Sequence, residues 1–156
     1  MKHIVNKYIE RFDDELAKEH THHELILENC VIKCLDVNSL EFHDRVCIHN
    51  CVIHELIVYG SWFSGGLLFT NNVVLAPINY EMGGHNQMAV TIAGNVFHGF
   101  VSFFDCHFEE KLTVANNIFM QGTDLLAKEN KGFDNLFDGG IILDNNIGKL
   151  DILEIK

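Results

Sequence analysis

The sequence predicts an all-β protein built as a parallel β-helix, a solenoid of about six coils of 21–23 residues. The first observation is a six-residue phrase of apolar residues around an Asn-containing turn. The phrase occupies residues 27–32, 48–53, 69–74, 92–97, 114–119 and 143–148. Its first residues are spaced by 21, 21, 23, 22 and 29 positions. A period of about 20–50 residues is typical of solenoids, in which each repeat is one coil.

The second observation is a strict alternation of apolar residues inside each repeat. Triplets with apolar first and third residues arrive every ten or eleven positions. They occupy residues 25–27, 35–37, 46–48, 56–58, 67–69, 90–92, 101–103 and 112–114. A period of two is typical of short strands with one buried face. No helical period is present within the repeats, so helical-repeat solenoids are excluded.

The third observation is a column of residues suited to a turn. One repeat position is held by Asn29, Asn50, Asn71, Gly94, Asn116 and Asn145, which we name the turn column. Asn and Gly tolerate a left-handed backbone better than other residues. We therefore expect a recurrent corner here, with Asn side chains hydrogen-bonding along the stack.

The chain is interpreted as one domain, 1–156, with four parts. Ile4, Tyr8, Phe12 and Leu16 recur every four residues, which predicts an amphipathic helix within residues 1–20 that caps the first coil. Regular coils are expected over 25–119, an insertion over 120–140 and a final coil over 141–156.

A first excursion, residues 75–88, also interrupts the repeat and contains the only proline. It includes Gly83-Gly84-His85-Asn86, where a histidine in a glycine-rich loop is a candidate general base. An ordinary turn with an exposed histidine is the alternative for His85 and Asn86. Insertions in solenoids often lie on the binding face.

Composition excludes several classes of function. The net charge is −11, and only Lys33, Arg45 and Lys111 are basic between residues 23 and 119, so no nucleic-acid partner is expected. Neither a signal peptide nor a membrane span is evident. The five cysteines show no metal-ligand spacing, and their odd number favours reduced thiols and a cytoplasmic location. Neither a metal nor a cofactor is expected.

Apolar residues also recur at every fifth or sixth position, often two places after Cys, Ser or Asn. The inward series begins Leu27, Ile32, Val37, Phe42, Ile48 and Ile53, and the clearest stretch is 95–108. This pattern resembles pentapeptide-repeat proteins over 25–119, with a weaker return at 141–155. The resemblance implies a right-handed quadrilateral β-helix. Leu and Val at alternate small positions, and coils of 21–23 residues, are closer to larger right-handed β-helices, many of which bind or cleave carbohydrate.

The function is predicted from a second apolar column, since no catalytic signature is present. Strand alternation forbids this column from facing inward together with its buried neighbours. The candidate interaction surface is Val31, Val52, Val73, Val96, Ile118 and Ile147, with Ile152 in an uncapped final strand over 150–155. A third column, led by Ile26 and Cys47, is expected to face outward on the same side.

These exposed columns favour a non-enzymatic, self-associating interaction module, with a homodimer as the expected partner. The insertion 120–140 covering the surface within the chain is one alternative. A carbohydrate-binding or carbohydrate-active β-helix, with Tyr59, Trp62 and the excursions lining the site, is the other.

Overall fold

The computed structural model describes residues 1–153 and shows an all-β parallel β-solenoid of about five turns. Its elements follow four faces of the coil, and every strand pair is parallel. The first face holds β1 (Lys2–Val5), β3 (Leu25–Glu28), β5 (Val46–His49), β7 (Leu67–Thr70), β10 (Val90–Ala93), β14 (Leu112–Ala115) and β17 (Ile141–Asp144). The second holds β2 (Tyr8–Phe12), β4 (Val31–Asp36), β6 (Val52–Ile57), β8 (Val73–Val74), β11 (Val96–Phe97) and β15 (Ile118–Phe119).

The third and fourth faces are built from shorter pieces. The third pairs β9 (Ile78–Asn79) with β12 (Val101–Ser102), and the fourth pairs β13 (His107–Phe108) with β16 (Leu136–Phe137). Single bridges extend the fourth face downward from Gly84 through Trp62 to Glu41. Within residues 1–153, no helix is long and apolar enough to cross a membrane.

The core is a stack of equivalent side chains from successive coils, because the strands pair in register. Leu25 lies beside Val46, and the same register continues up the first face. On the second face the rings of Phe97 and Phe119 stack with centroids 5.0 Å apart. A void of only about 50 Å³ remains among the apolar side chains that fill the interior. Such close packing is what makes each apolar position of the repeat specific.

Two corners of the coil use a left-handed backbone. All six residues of the turn column have φ between 50° and 70° and join the first face to the second. A second column of positive φ joins the third face to the fourth. It comprises Ser39, Gly60, Met82 and Asp105. Its members share no residue type, so no sequence pattern marks this corner.

The hydrogen-bonded asparagine ladder lies one residue beyond the turn column. It consists of the buried Asn72, Asn95 and Asn117, with Asn146 above them. Each of the upper three accepts a bond through Oδ1 from the backbone nitrogen of the asparagine in the coil below, at 2.9–3.1 Å. We expected hydrogen bonds along the stack between side chains of the turn column. The structure has them in the neighbouring column, whose asparagine side chains face inward.

The N-terminal capping helix predicted within residues 1–20 was wrong in its extent. Lys2–Val5 and Tyr8–Phe12 form strands β1 and β2. The only helix within residues 1–153 is the five-residue α1 (Asp14–Lys18), capped by Asp13 Oδ1 accepting from Leu16 N at 3.0 Å. Asn6, with φ of 57°, makes the corner between the two strands, one coil below Asn29. Ile4, Tyr8 and Phe12 have the four-residue spacing of a helix but belong to two different strands, and only Leu16 of the series lies in α1.

The two excursions largely remain within the coil. Residues 75–88 contain β9 and the bridge at Gly84, so they supply the third and fourth faces of their coil. Within 120–140, Thr123 bridges Val101 on the third face, and β16 lies on the fourth. The chain between Ala127 and Asn135 makes the excursion, and the rest of 120–140 continues the solenoid.

Candidate functional site

The second sheet presents an apolar column on its outer side. Ile32, Ile53 and their equivalents are buried, so the column beginning at Val31 faces outward. Val31 is 40% exposed, Ile118 37% and Ile147 64%, while Val52, Val73 and Val96 are half-buried. The third column, led by Ile26, lies on the first sheet, around the corner made by the turn column, and therefore on an adjacent face of the coil.

The character of this outer surface changes along the solenoid. At the N-terminal end, Lys33 Nζ pairs with Glu10 Oε1 at 2.8 Å, and Tyr8 Oη donates to the same carboxylate at 2.6 Å. Higher on the same face the corresponding positions carry His54, Leu75, His98 and Met120, so exposed apolar and histidine side chains alternate there. At the C-terminal end of the second sheet, Ile118, Met120 and Ile147 are exposed together.

The contacts of the 120–140 segment lie elsewhere. Phe133 packs edge-on to Phe104 with ring centroids 5.9 Å apart, and Lys131 Nζ lies 5.5 Å from the centre of the Phe104 ring. Phe104 belongs to the corner between the third and fourth faces. These contacts lie beside the fourth face, away from the column on the second sheet.

The last described coil leaves part of the core uncovered. Leu143 continues the inward column that runs up from Val114, yet it is 39% exposed. Strand β17 pairs with β14, and no other strand in residues 1–153 pairs with it. Ile152 is half-buried, and its backbone nitrogen donates to Thr123 O at 3.0 Å. Of the strand predicted over 150–155, residues 150–153 are not extended in a sheet, and 154–155 lie outside the described residues.

A cleft of about 500 Å³ opens on a different side, where the third face turns into the fourth. Tyr59 and Trp62 line it with 37% and 39% of their surfaces exposed. Trp62 Nε1 donates to Met82 O at 3.2 Å, which fixes the indole against the first excursion. Asp134 and Leu136 contribute the opposite part of the wall. The structure thus brings together the two aromatic residues and both excursions.

His85 projects into this cleft because the coil around it is rearranged. In the coils on either side, Phe63 and Phe108 fill the core from the fourth face. At the intervening level Tyr80 reaches across from the third face, with its ring 6.2 Å from Phe63 and 6.4 Å from Phe108. A Cβ atom at Gly83 would collide with the Tyr80 ring. The glycine therefore makes room for Tyr80, and His85 is left at the surface.

The side chain of His85 meets groups from the next coil. Its Nδ1 lies 3.7 Å from Glu109 Oε1, and its ring is 5.6 Å from that of His107. His107 Nε2 lies 2.6 Å from Asp138 Oδ2. Sequence reasoning singled out His85 and missed these neighbours, because they are adjacent only through the stacking of coils.

Asn86, the other residue singled out in this loop, is fully buried. Its Nδ2 donates to Met88 O at 2.8 Å and to Glu110 O at 3.2 Å, and its Oδ1 accepts from Glu109 N at 3.1 Å. These bonds satisfy the side chain and tie the loop to the coil above. Asn86 is therefore placed to support the loop, and its amide does not face the cleft.

Comparison with known proteins finds no matching family model, no matching curated protein and no matching solved structure. The parallel β-solenoid is shown by the strand pairing itself, and the pentapeptide-repeat resemblance rests on the repeat pattern.

Proposed function

We propose that the protein is a non-enzymatic interaction module that self-associates through its C-terminal apolar surface. This surface comprises Ile118, Met120, Ile142, Leu143 and Ile147, all of them exposed large apolar residues. The observation that carries the proposal is Leu143, a core-column residue with 39% of its surface exposed. Contiguous apolar surface of this kind is typical of an interaction site.

A second copy of the chain is the occupant that this surface fits best. The edge of β17 that pairs with no strand in residues 1–153 offers backbone donors and acceptors, which favours pairing with another strand. A two-fold axis at this end would place β17 antiparallel to its copy and Leu143 against the partner's core end. The core end and the strand edge would then be satisfied together.

The size of a stable interface explains why both parts of the surface are needed. A typical interface buries about 800 Å² on each partner. Each of the four sides of a coil is about five residues long, at about 3.4 Å per residue. The end of the solenoid therefore has an area of roughly 300 Å². The outer residues Ile118, Met120 and Ile147 adjoin that end through the bridge between Ile118 and Ile147. They supply the additional apolar area.

Sedimentation velocity of the parent and two variants tests the proposal. We expect the parent to be a dimer at about 100 μM, well above the micromolar affinity of a modest interface. Ile147→Glu should sediment as a monomer, because it places a charge in the interface. Val31→Glu is the matched control, since Val31 belongs to the same column at the N-terminal end, and it should remain dimeric. A monomeric parent contradicts self-association, and dissociation by Val31→Glu alone contradicts the assigned surface.

Carbohydrate binding at the cleft is the second candidate function. It is favoured by one observation, that Tyr59 and Trp62 line the same cleft with their side chains partly exposed. Aromatic side chains with one polar end suit ligands that have both apolar and hydroxyl faces. Because Trp62 is the only tryptophan, its fluorescence reports directly on the cleft. A glycan array followed by fluorescence titration tests this function, and retention of no glycan, or equal retention by Trp62→Ala, contradicts it.

A further inference from the structure

Three potential metal ligands converge at the rim of the cleft. His85, His107 and Glu109 each offer one ligand atom, and these atoms all lie within 4.8 Å of one another. The distance from His85 Nδ1 to Glu109 Oε1 is 3.7 Å. Ligands of a tetrahedral zinc ion, bound at about 2.0–2.2 Å, lie about 3.4 Å apart. A small rotation of these half-exposed side chains would bring them to that spacing.

The carboxylate of Asp138 contacts His107 in a way that suits His107 to metal binding. Its carboxylate oxygen lies 2.6 Å from His107 Nε2. A carboxylate accepts hydrogen bonds, so Nε2 carries the proton in this pair and Nδ1 keeps its lone pair. Histidine ligands of metals commonly donate their second ring nitrogen to a carboxylate in this way, which fixes the tautomer and the ring orientation.

The backbone holds the three residues in place. His85 lies in one coil, and His107 and Glu109 lie in the next, where parallel strands are about 4.8 Å apart. His85 N donates to His107 O at 2.6 Å, and Asn86 Oδ1 accepts from Glu109 N at 3.1 Å. Trp62 covers one side of His85, with the two ring centres 4.5 Å apart. The ligands are therefore organised by the solenoid, while the cleft leaves a path for an ion.

We propose that His85, His107 and Glu109 form a binding site for a divalent transition-metal ion of the zinc class, and that Asp138 is a positioning residue for His107. Two imidazoles and one carboxylate suit zinc and leave a further coordination position. That position would face the cleft, so water or a ligand in the cleft could occupy it. The proposal is independent of self-association.

Isothermal titration of the untagged chain with Zn²⁺ at neutral pH tests the site. We expect one ion per chain with a dissociation constant of about 10 μM or tighter. His85→Ala should weaken binding at least tenfold. His54→Ala is the control, because His54 is an exposed histidine on another face and should leave the affinity unchanged. Circular dichroism verifies that each variant is folded, and Ile147→Glu should bind as the parent does.

The visible spectrum of bound Co²⁺ tests the role of Asp138. Asp138→Asn should weaken binding about 10- to 100-fold while the Co²⁺ bands keep their shape, because the ligands are unchanged. Changed bands would contradict the positioning role. The site itself is contradicted if the parent binds no Zn²⁺, or if His85→Ala binds as tightly as the parent. Loss of binding in His22→Ala would overturn it too, by placing the ion at His22 and His43, whose rings stack with centroids 4.4 Å apart.

Discussion

The side-chain oxygen of Asn95 accepts a hydrogen bond from the backbone nitrogen of Asn72, 2.9 Å away in the coil below. Its side-chain nitrogen donates to Phe69 O at 2.8 Å, and the residue is fully buried. One side chain thus satisfies two buried backbone groups at the inner side of the corner. Backbone groups left unpaired in such a site are costly.

Asn95→Ala is expected to lower the free energy of unfolding by about 3 kcal/mol, because it leaves a buried donor and a buried acceptor without partners. Urea denaturation followed by circular dichroism measures the change. Asn38→Ala, at an exposed position, is the control and should stay within about 0.5 kcal/mol of the parent. Similar losses in the two variants would contradict the role assigned to the ladder.

The turn column should depend on backbone conformation. Asn71 is exposed and has φ of 56°. Asn71→Ala is expected to cost about 1 kcal/mol, because a Cβ-bearing residue other than Asn or Asp is disfavoured in the left-handed region. Asn71→Gly should cost less, since glycine adopts this conformation freely. The test is thermal and urea unfolding of both variants, and equal losses would refute the ordering.

The contact of Gly83 with Tyr80 gives a prediction about packing. Gly83→Ala should destabilise the protein by about 1–3 kcal/mol, because the added Cβ would collide with the Tyr80 ring. The same substitution should cost less in a Tyr80→Leu background, where the ring is absent. A double-mutant cycle measured by urea denaturation yields the coupling between the two positions. Additive losses would show that the two residues do not interact.

Much of the solenoid could be predicted because its signals are local and repeated. Alternation identifies the strands of the first two faces, and the Asn or Gly of the turn column marks the corner between them. The same signal is present at Asn6, which lies 23 residues before Asn29, but the four-residue spacing of Ile4, Tyr8 and Phe12 also fits a helix. Tertiary pairing with β3 and β4 decided in favour of strands.

The fourth face of the coil that begins with β7, and the proposed metal site, could not be predicted in the same way. At the level between Phe63 and Phe108, the ring that fills the core is Tyr80, which comes from the third face and not from the fourth. The core is therefore filled although the sequence repeat is interrupted. His107 lies 22 residues after His85 and shares no local motif with it. Only the stacking of two particular coils, with Glu109 and Asp138 alongside, places these side chains together.

The cysteines give a prediction about chemical reactivity. All five are buried and unpaired, and burial raises the pKa of Cys34 and Cys47. Because the thiolate is the reactive form, alkylation of the folded protein at pH 8 should be much slower than in urea. Cys34 and Cys47, at 7% and 9% exposure, should react before Cys106 at 1%. Iodoacetamide labelling followed by peptide mass spectrometry gives the order, and rapid uniform labelling would contradict it.

Cys51 also predicts a dependence of stability on alkaline pH. Burial is the main cause that raises the pKa of this thiol from 9.0 to about 11. The unfolded chain then releases the proton at lower pH than the folded chain, so this contribution to stability is complete below about pH 9 and is lost as the pH rises towards 11.

Cys51→Ala removes the titrating group. Between pH 8 and about 11, the unfolding free energy of the parent should therefore fall relative to that of Cys51→Ala. Ile53→Val is the control, since it removes one buried methylene and no titrating group. It should lower the free energy of unfolding by about 1 kcal/mol at every pH. Urea denaturation at each pH provides the comparison, and a difference for Cys51→Ala that stays constant would rule out the linkage.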